Sequence, residues 1–135
     1  MKKFLFLLVA FVAFAASTYA QSDTLYYKAN KVNFKFKGEQ YIGWQKCFIP
    51  VEFIGVEHKV NIYTINPHYI DYGELHKEVH DTYTYIYAYG TDTHYEDAKI
   101  EWFLYNSGTI IIKLSTQGYE VKYNIVPYEY GDLPY

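Results

Sequence analysis

The chain has 135 residues, with 12 basic side chains, all of them lysine, against 15 acidic ones and a formal net charge of −3. An acidic balance with no basic run and no arginine fork excludes nucleic acid as a partner class. A single cysteine, Cys47, excludes an internal disulfide, so the fold must be held by its core alone.

The first residues read as a leader. Lys2 and Lys3 form a positive start, Phe4 to Ala16 is an unbroken apolar run, and Ser17, Thr18, Tyr19 and Ala20 form a small, more polar end. A membrane-crossing helix needs roughly 20 apolar residues, which this run does not reach. A buried helix would need a polar side, and it has none. The pattern predicts a signal peptide over residues 1–20, cleaved before Gln21, and a secreted or periplasmic product of bacterial type. No cysteine follows the site to carry a lipid anchor, and no second apolar stretch predicts membrane insertion after processing. Loss of the two leader lysines leaves 10 Lys against 15 acids. The remainder, residues 21–135, is expected to be one β domain, long enough for one core.

Alternation then recurs along the chain. Lys31 to Lys37 places Val32, Phe34 and Phe36 on one face and lysines and Asn33 on the other, and Gly38 ends the run. Phe48 to Ile54 is apolar but carries Pro50, which predicts an edge strand or a bulge. His58 to Ile65 alternates again before the Asn66-Pro67 turn. Asp71 to Asp81 lacks strict alternation and reads as a polar excursion or one short helix. Thr82 to Tyr89 sets Tyr83, Tyr85, Tyr87 and Tyr89 against Thr84, Ile86 and Ala88. A loop is expected over 90–93. Strands at 99–105, 109–115 and 119–126, joined at Asn106-Ser107-Gly108 and Gln117-Gly118, form a C-terminal meander. The tail from Pro127 to Tyr135 is expected to be extended. Seven or eight short strands predict an all-β fold, a small antiparallel β-barrel or β-sandwich. Trp44 and Trp102 are assigned to its core, and Cys47 is expected as a buried, inert thiol.

Tyrosine stands out, with 18 in the chain. It is an ordinary strand residue, and Tyr, Lys, Ile, Asn and Phe all have A/T-rich codons, so base composition explains much of the excess. The row Tyr83, Tyr85, Tyr87 and Tyr89 is nevertheless the best candidate ligand-binding surface, because four phenols on one face offer apolar bodies with polar tips. Left wet, their hydroxyls avoid the roughly 1–3 kcal/mol cost of each unpaired buried group.

The candidates for chemistry are few. His76 and His80, spaced i and i+4, would share one face of a helix as metal ligands do, with Glu74, Asp81 or His68 as a third. Lys77 occupies the place where a zinc peptidase motif needs Glu. Asp92, His94, Glu96 and Asp97 form an acidic cluster that does not match a calcium loop and reads as a solvated hairpin. Glu52, Glu101 and Glu120 lie on strands, where pairing with lysines such as Lys99 and Lys122 explains them better than sugar hydrolysis. No nucleophile motif occurs, and no cofactor is implied. The expectation is a secreted, non-enzymatic binding domain for a carbohydrate, a small apolar ligand or a protein partner. The alternatives are a metal-assisted hydrolase built on His76 and His80, and a structural or assembly module.

Overall fold

A computed structural model describes residues 24–93 and 96–128. The expected leader at 1–20, His94 and most of the expected tail lie outside these residues. Among the described residues the fold is all-β with no helix. Nine strands follow in order: β1 (Thr24–Phe36), β2 (Gln45–Ile54), β3 (Lys59–Ile62), β4 (His68–Tyr72), β5 (His76–Val79), β6 (Tyr83–Asp92), β7 (Glu96–Tyr105), β8 (Ile110–Ser115) and β9 (Tyr119–Pro127). Every pairing is antiparallel, and nearly all are between neighbours in sequence. Two contacts close the ring. β1 pairs with β9 along nine positions, and β4 meets β6 at Asp71↔Thr91 and Tyr72↔Gly90. The result is a closed eight-stranded barrel with β5 as one extra strand on β6. Closure leaves the eight barrel strands without the two long free edges of an open sheet, and of the two expected architectures it selects the barrel.

The interior follows from alternation. Ile86 and Ala88 of β6, Ile100, Trp102 and Leu104 of β7, Ile110, Ile112 and Leu114 of β8, and Val121, Tyr123 and Ile125 of β9 are all buried. β1 needs an extra residue to contribute. Tyr27 and Ala29 point inward with odd numbers, whereas Val32 and Phe34 do so with even ones. The pairing register with both neighbours shifts between Ala29 and Lys31, so Asn30 is a bulge, held by a hydrogen bond from Asn124 Nδ2 to its Oδ1 at 2.7 Å. An eight-stranded barrel is just wide enough for side chains to fill it. Aromatic rings do so at one end, where Trp102 lies 5.4 Å from Tyr72 and 6.3 Å from Phe53, and Tyr27 packs edge-on to Phe53.

Several expectations are corrected. The segment 71–81 forms no helix: it supplies the end of β4 and, after a connection at 73–75, all of the exposed strand β5. Its alternation is hidden because β5 is exposed on every residue. Pro50 is not on an edge strand. β2 is paired on both sides, but its ladder with β3 spans only Val51 to Ile54, so Pro50 sits where that ladder stops and its missing N–H breaks no bond. The expected loop at 90–93 is strand as far as Asp92. Trp44 is exposed on the β1–β2 loop rather than in the core. Cys47 is half-buried, with its thiol directed at the Ala29 carbonyl, and burial raises its pKa, which leaves it a poor nucleophile. The C-terminal meander is present as β7, β8 and β9.

Candidate functional site

The predicted row lies on the outer wall. Thr84, Ile86 and Ala88 are buried, Tyr83, Tyr85 and Tyr87 are half-buried, and Tyr89 is 60% exposed. The ring faces are largely engaged with neighbours. Tyr85 stacks on Tyr87 at 5.3 Å, His76 stacks on Tyr87 at 4.9 Å, and His80 stacks on Tyr83 at 4.7 Å. The Lys99 ammonium lies over both Tyr87 and Tyr89. The Tyr85 hydroxyl donates to Glu101, and burial together with that bond raises its pKa, so it stays a neutral donor. Glu101 is thus outward-facing yet buried, covered by Tyr85 and flanked by Lys99 and Lys113 at 3.8 and 4.0 Å. Glu120 completes the ladder, with Lys113 at 3.5 Å, Lys35 at 3.7 Å and the Tyr41 hydroxyl at 2.8 Å. Burial opposes ionisation of Glu120, but the Tyr41 bond and the two lysines outweigh it and lower its pKa. Glu101 meets Lys99 as the spacing suggested, whereas Glu120 pairs with Lys113 and Lys35 instead of Lys122, whose ammonium lies over the Tyr41 ring. Glu52 instead accepts a hydrogen bond from Tyr63.

The metal candidates do not converge. On a strand, His76 and His80 are about 13 Å apart along the chain, whereas two ligands of one zinc ion must both come within about 2.1 Å of it. Their rings are spent on Tyr87 and Tyr83, and the third-ligand candidate His68 faces the barrel interior. No group of three or more ligating side chains suited to a metal occurs among the described residues. Micromolar Zn²⁺ is therefore expected to leave the midpoint of thermal unfolding within about 1 °C of the metal-free value. A clear rise that His76→Ala abolishes would restore the metal site.

A second site was not anticipated. The barrel end opposite the Trp102 cluster is open, with a pocket of about 710 Å³. Val32 and Phe34 of β1, Ile49 of β2 and Tyr119, Val121 and Tyr123 of β9 give it an apolar wall. The turn Tyr63–Asn66 forms its lip, and His68 supplies the imidazole. It is open at the side because the β2–β3 ladder stops at Val51, leaving Gln45 to Pro50 without a strand partner there among the described residues. Asp92, with only 4% of its side chain exposed, points inward from the end of β6 and holds His68 Nδ1 at 2.6 Å. A carboxylate only accepts, so Nδ1 carries the proton and Nε2 is the nitrogen left for a ligand. The Tyr119 hydroxyl is 3.4 Å from the same Nδ1, and burial and the charge of Asp92 push its phenol up to about 12. Thr93 fastens the corner: its amide donates to Asp92 Oδ1 at 2.7 Å, and its hydroxyl donates to the Pro67 carbonyl at 3.1 Å.

Burial alone would raise the Asp92 carboxyl, but the bonds from His68 and the Thr93 amide outweigh it and lower the pKa. A carboxyl depressed in the folded state stabilises the protein above its unfolded pKa of about 3.9, and that contribution is lost as pH falls through the lower, folded value. Asp92→Asn is expected to cost about 1–3 kcal/mol near neutral pH. The gap to the parent should shrink as pH drops below about 4. Urea unfolding across that range measures it, and a pH-independent gap would show that the carboxylate charge is not what holds the corner.

Compared with protein-family models, curated proteins and solved structures, the chain matches none.

Proposed function

We propose that this protein is an exported, non-enzymatic carrier or receptor that takes one small, mainly apolar ligand into the open end of its barrel. The pocket carries the reading. Its 710 Å³ lies within the range of about 300–1,000 Å³ typical of small-molecule sites, and its walls are apolar apart from a few convergent polar groups. An imidazole already fixed by Asp92 offers a ligand hydroxyl or amine a hydrogen-bond partner without reordering, which reduces the entropy cost of binding. Tyr119 stands beside it as a neutral phenol. The leader at residues 1–20 supports export.

The test is titration with the fluorescent apolar probe anilinonaphthalene sulfonate. One probe per chain is expected to bind. Val32→Trp, which puts an indole into the pocket from a half-buried wall position, is expected to weaken binding about tenfold or more, or 1.4 kcal/mol and upward. Circular dichroism and unfolding report whether the variant stays folded. Unchanged, saturable binding in folded Val32→Trp would remove the pocket from consideration.

A further inference from the structure

The polar groups of the pocket differ in what they have left to offer. The Tyr63 hydroxyl is spent on Glu52, and the Thr64 hydroxyl donates to the Asn66 carbonyl at 2.7 Å. Tyr119 and Tyr123 are phenols kept neutral, with burial and the Asp92 charge raising both. His68 is the exception. Its Nδ1 is committed to Asp92, and its Nε2 has no hydrogen-bond partner among the described residues. No lysine is among the described residues that line the pocket. The charges acting on the Tyr119 phenol beside His68 are both negative: Asp92, buried behind the ring, and the exposed Glu96. At the mouth, the exposed Lys37 and Lys46 are matched by Glu39, Glu96 and Asp97.

We propose that the pocket selects an uncharged, hydroxyl-terminated apolar molecule, a long-chain alcohol in type, whose hydroxyl sits on His68 Nε2. This rests on the pocket reading above and names the ligand class for that same site. A hydroxyl is donor and acceptor in one group. It donates to Nε2 of the neutral ring and would accept from Nε2 were the ring protonated. It also brings no net charge out of water. A carboxylate fails on two counts. It has no proton to give to neutral Nε2, and beside a protonated ring it would share a single cation with Asp92 while Glu96 adds to the repulsion. An anionic group therefore stays at the open mouth and leaves Nε2 unmatched. An ammonium brings three donors to a corner where both Asp92 oxygens are already bonded, one to His68 and the other to Thr93. Its desolvation then goes uncompensated. An ether has the right polarity but no proton for Nε2.

Displacement of the uncharged fluorescent probe N-phenyl-1-naphthylamine at mildly alkaline pH provides the test. The isomers 1-decanol and methyl nonyl ether contain the same atoms, and the ether is the more apolar, so an unselective apolar cavity prefers the ether. On the parent protein 1-decanol is expected to displace the probe at about tenfold lower concentration than the ether, decanoate or decylammonium. In His68→Phe the advantage of the alcohol over the ether should vanish while the probe still binds. If His68→Phe does not fold because Asp92 loses its partner, His68→Phe combined with Asp92→Leu removes both members of the pair and carries the same comparison. An ether as effective as the alcohol on the parent overturns the proposal and leaves the pocket reading standing. Equal displacement by decanoate or decylammonium does the same. An alcohol preference that persists in the folded His68 variant also overturns it, because Nε2 would not be the partner. Failure of the probe to bind, or unchanged binding in folded Val32→Trp, overturns both readings.

Discussion

Gly90→Ala is expected to destabilise the protein by roughly 3 kcal/mol or more. A Cβ at this position would meet the Asp71 carbonyl oxygen at 2.0 Å and the Tyr72 Cα at 2.7 Å, and both are backbone atoms that cannot rotate aside. The β4–β6 contact closes the barrel with only two residue pairs, and Gly90 is a member of one of them. Relief therefore means separating the two strands. The loss should lower the midpoint of thermal unfolding by about 10–20 °C, at some 4–8 °C per kcal/mol for a domain of about this size. Gly73→Ala is the control. It lies across the same contact, but its Cβ would find only the Tyr89 carbonyl at 3.6 Å, an ordinary distance, and little change is expected. Equal midpoints for the two variants would show that close approach at Gly90 does not set the closure. Opening here would also free Asp92, two residues further along the same strand, so probe binding should fall together with stability.

Trp102→Ala is expected to cost about 3–5 kcal/mol. The indole is fully buried and fills the closed end of the barrel against Tyr72 and Phe53. Removing it leaves a cavity ringed by strands whose mutual hydrogen bonds prevent collapse, which puts the loss in the upper part of that range. For a protein whose total stability is of the order of 5–15 kcal/mol, a large share of the molecules would unfold on mild warming. Trp44→Ala removes the same side chain from the exposed β1–β2 loop and should change stability by less than about 1 kcal/mol. Chemical denaturation of both variants measures the contrast. Similar losses would mean that this loop is part of the core after all.

The two tryptophans illustrate what the residue pattern could carry. Trp102 sits in a clean alternating run with Ile100 and Leu104, so its inward direction was legible. Trp44 sits beside Gly43 in a loop, where no period applies, and residue type alone placed it wrongly in the core. The Tyr83–Tyr89 row was legible for the same reason as Trp102. Its position on the outer wall agrees with the small and aliphatic Thr84, Ile86 and Ala88 packing inward. Nothing local showed that His76 and His80 would cover its faces, because β5 has no buried side and therefore no period to read.

The pocket was the larger omission, although part of it was within reach. The inward series Thr84, Ile86, Ala88 continues through Gly90 to Asp92, and His68 continues the series of Ile70 and Tyr72. Following those alternations two steps further would have marked an inward histidine and an inward aspartate. Turn-forming residues at 90–93 instead ended the strand early.

Alternation by itself determined that this chain is all-β, which residues share a face, and the three-strand meander at its end. Those properties depend on the two-residue period of an extended backbone, which every stretch of sequence carries locally. Closure into a barrel, the bulge at Asn30, the open end beside β2 and the meeting of His68, Asp92 and Tyr119 were decided only by the tertiary structure. They depend on strand register and on where one ladder stops, and these are set by contacts between residues 24 to 51 positions apart and more, to which no local period refers.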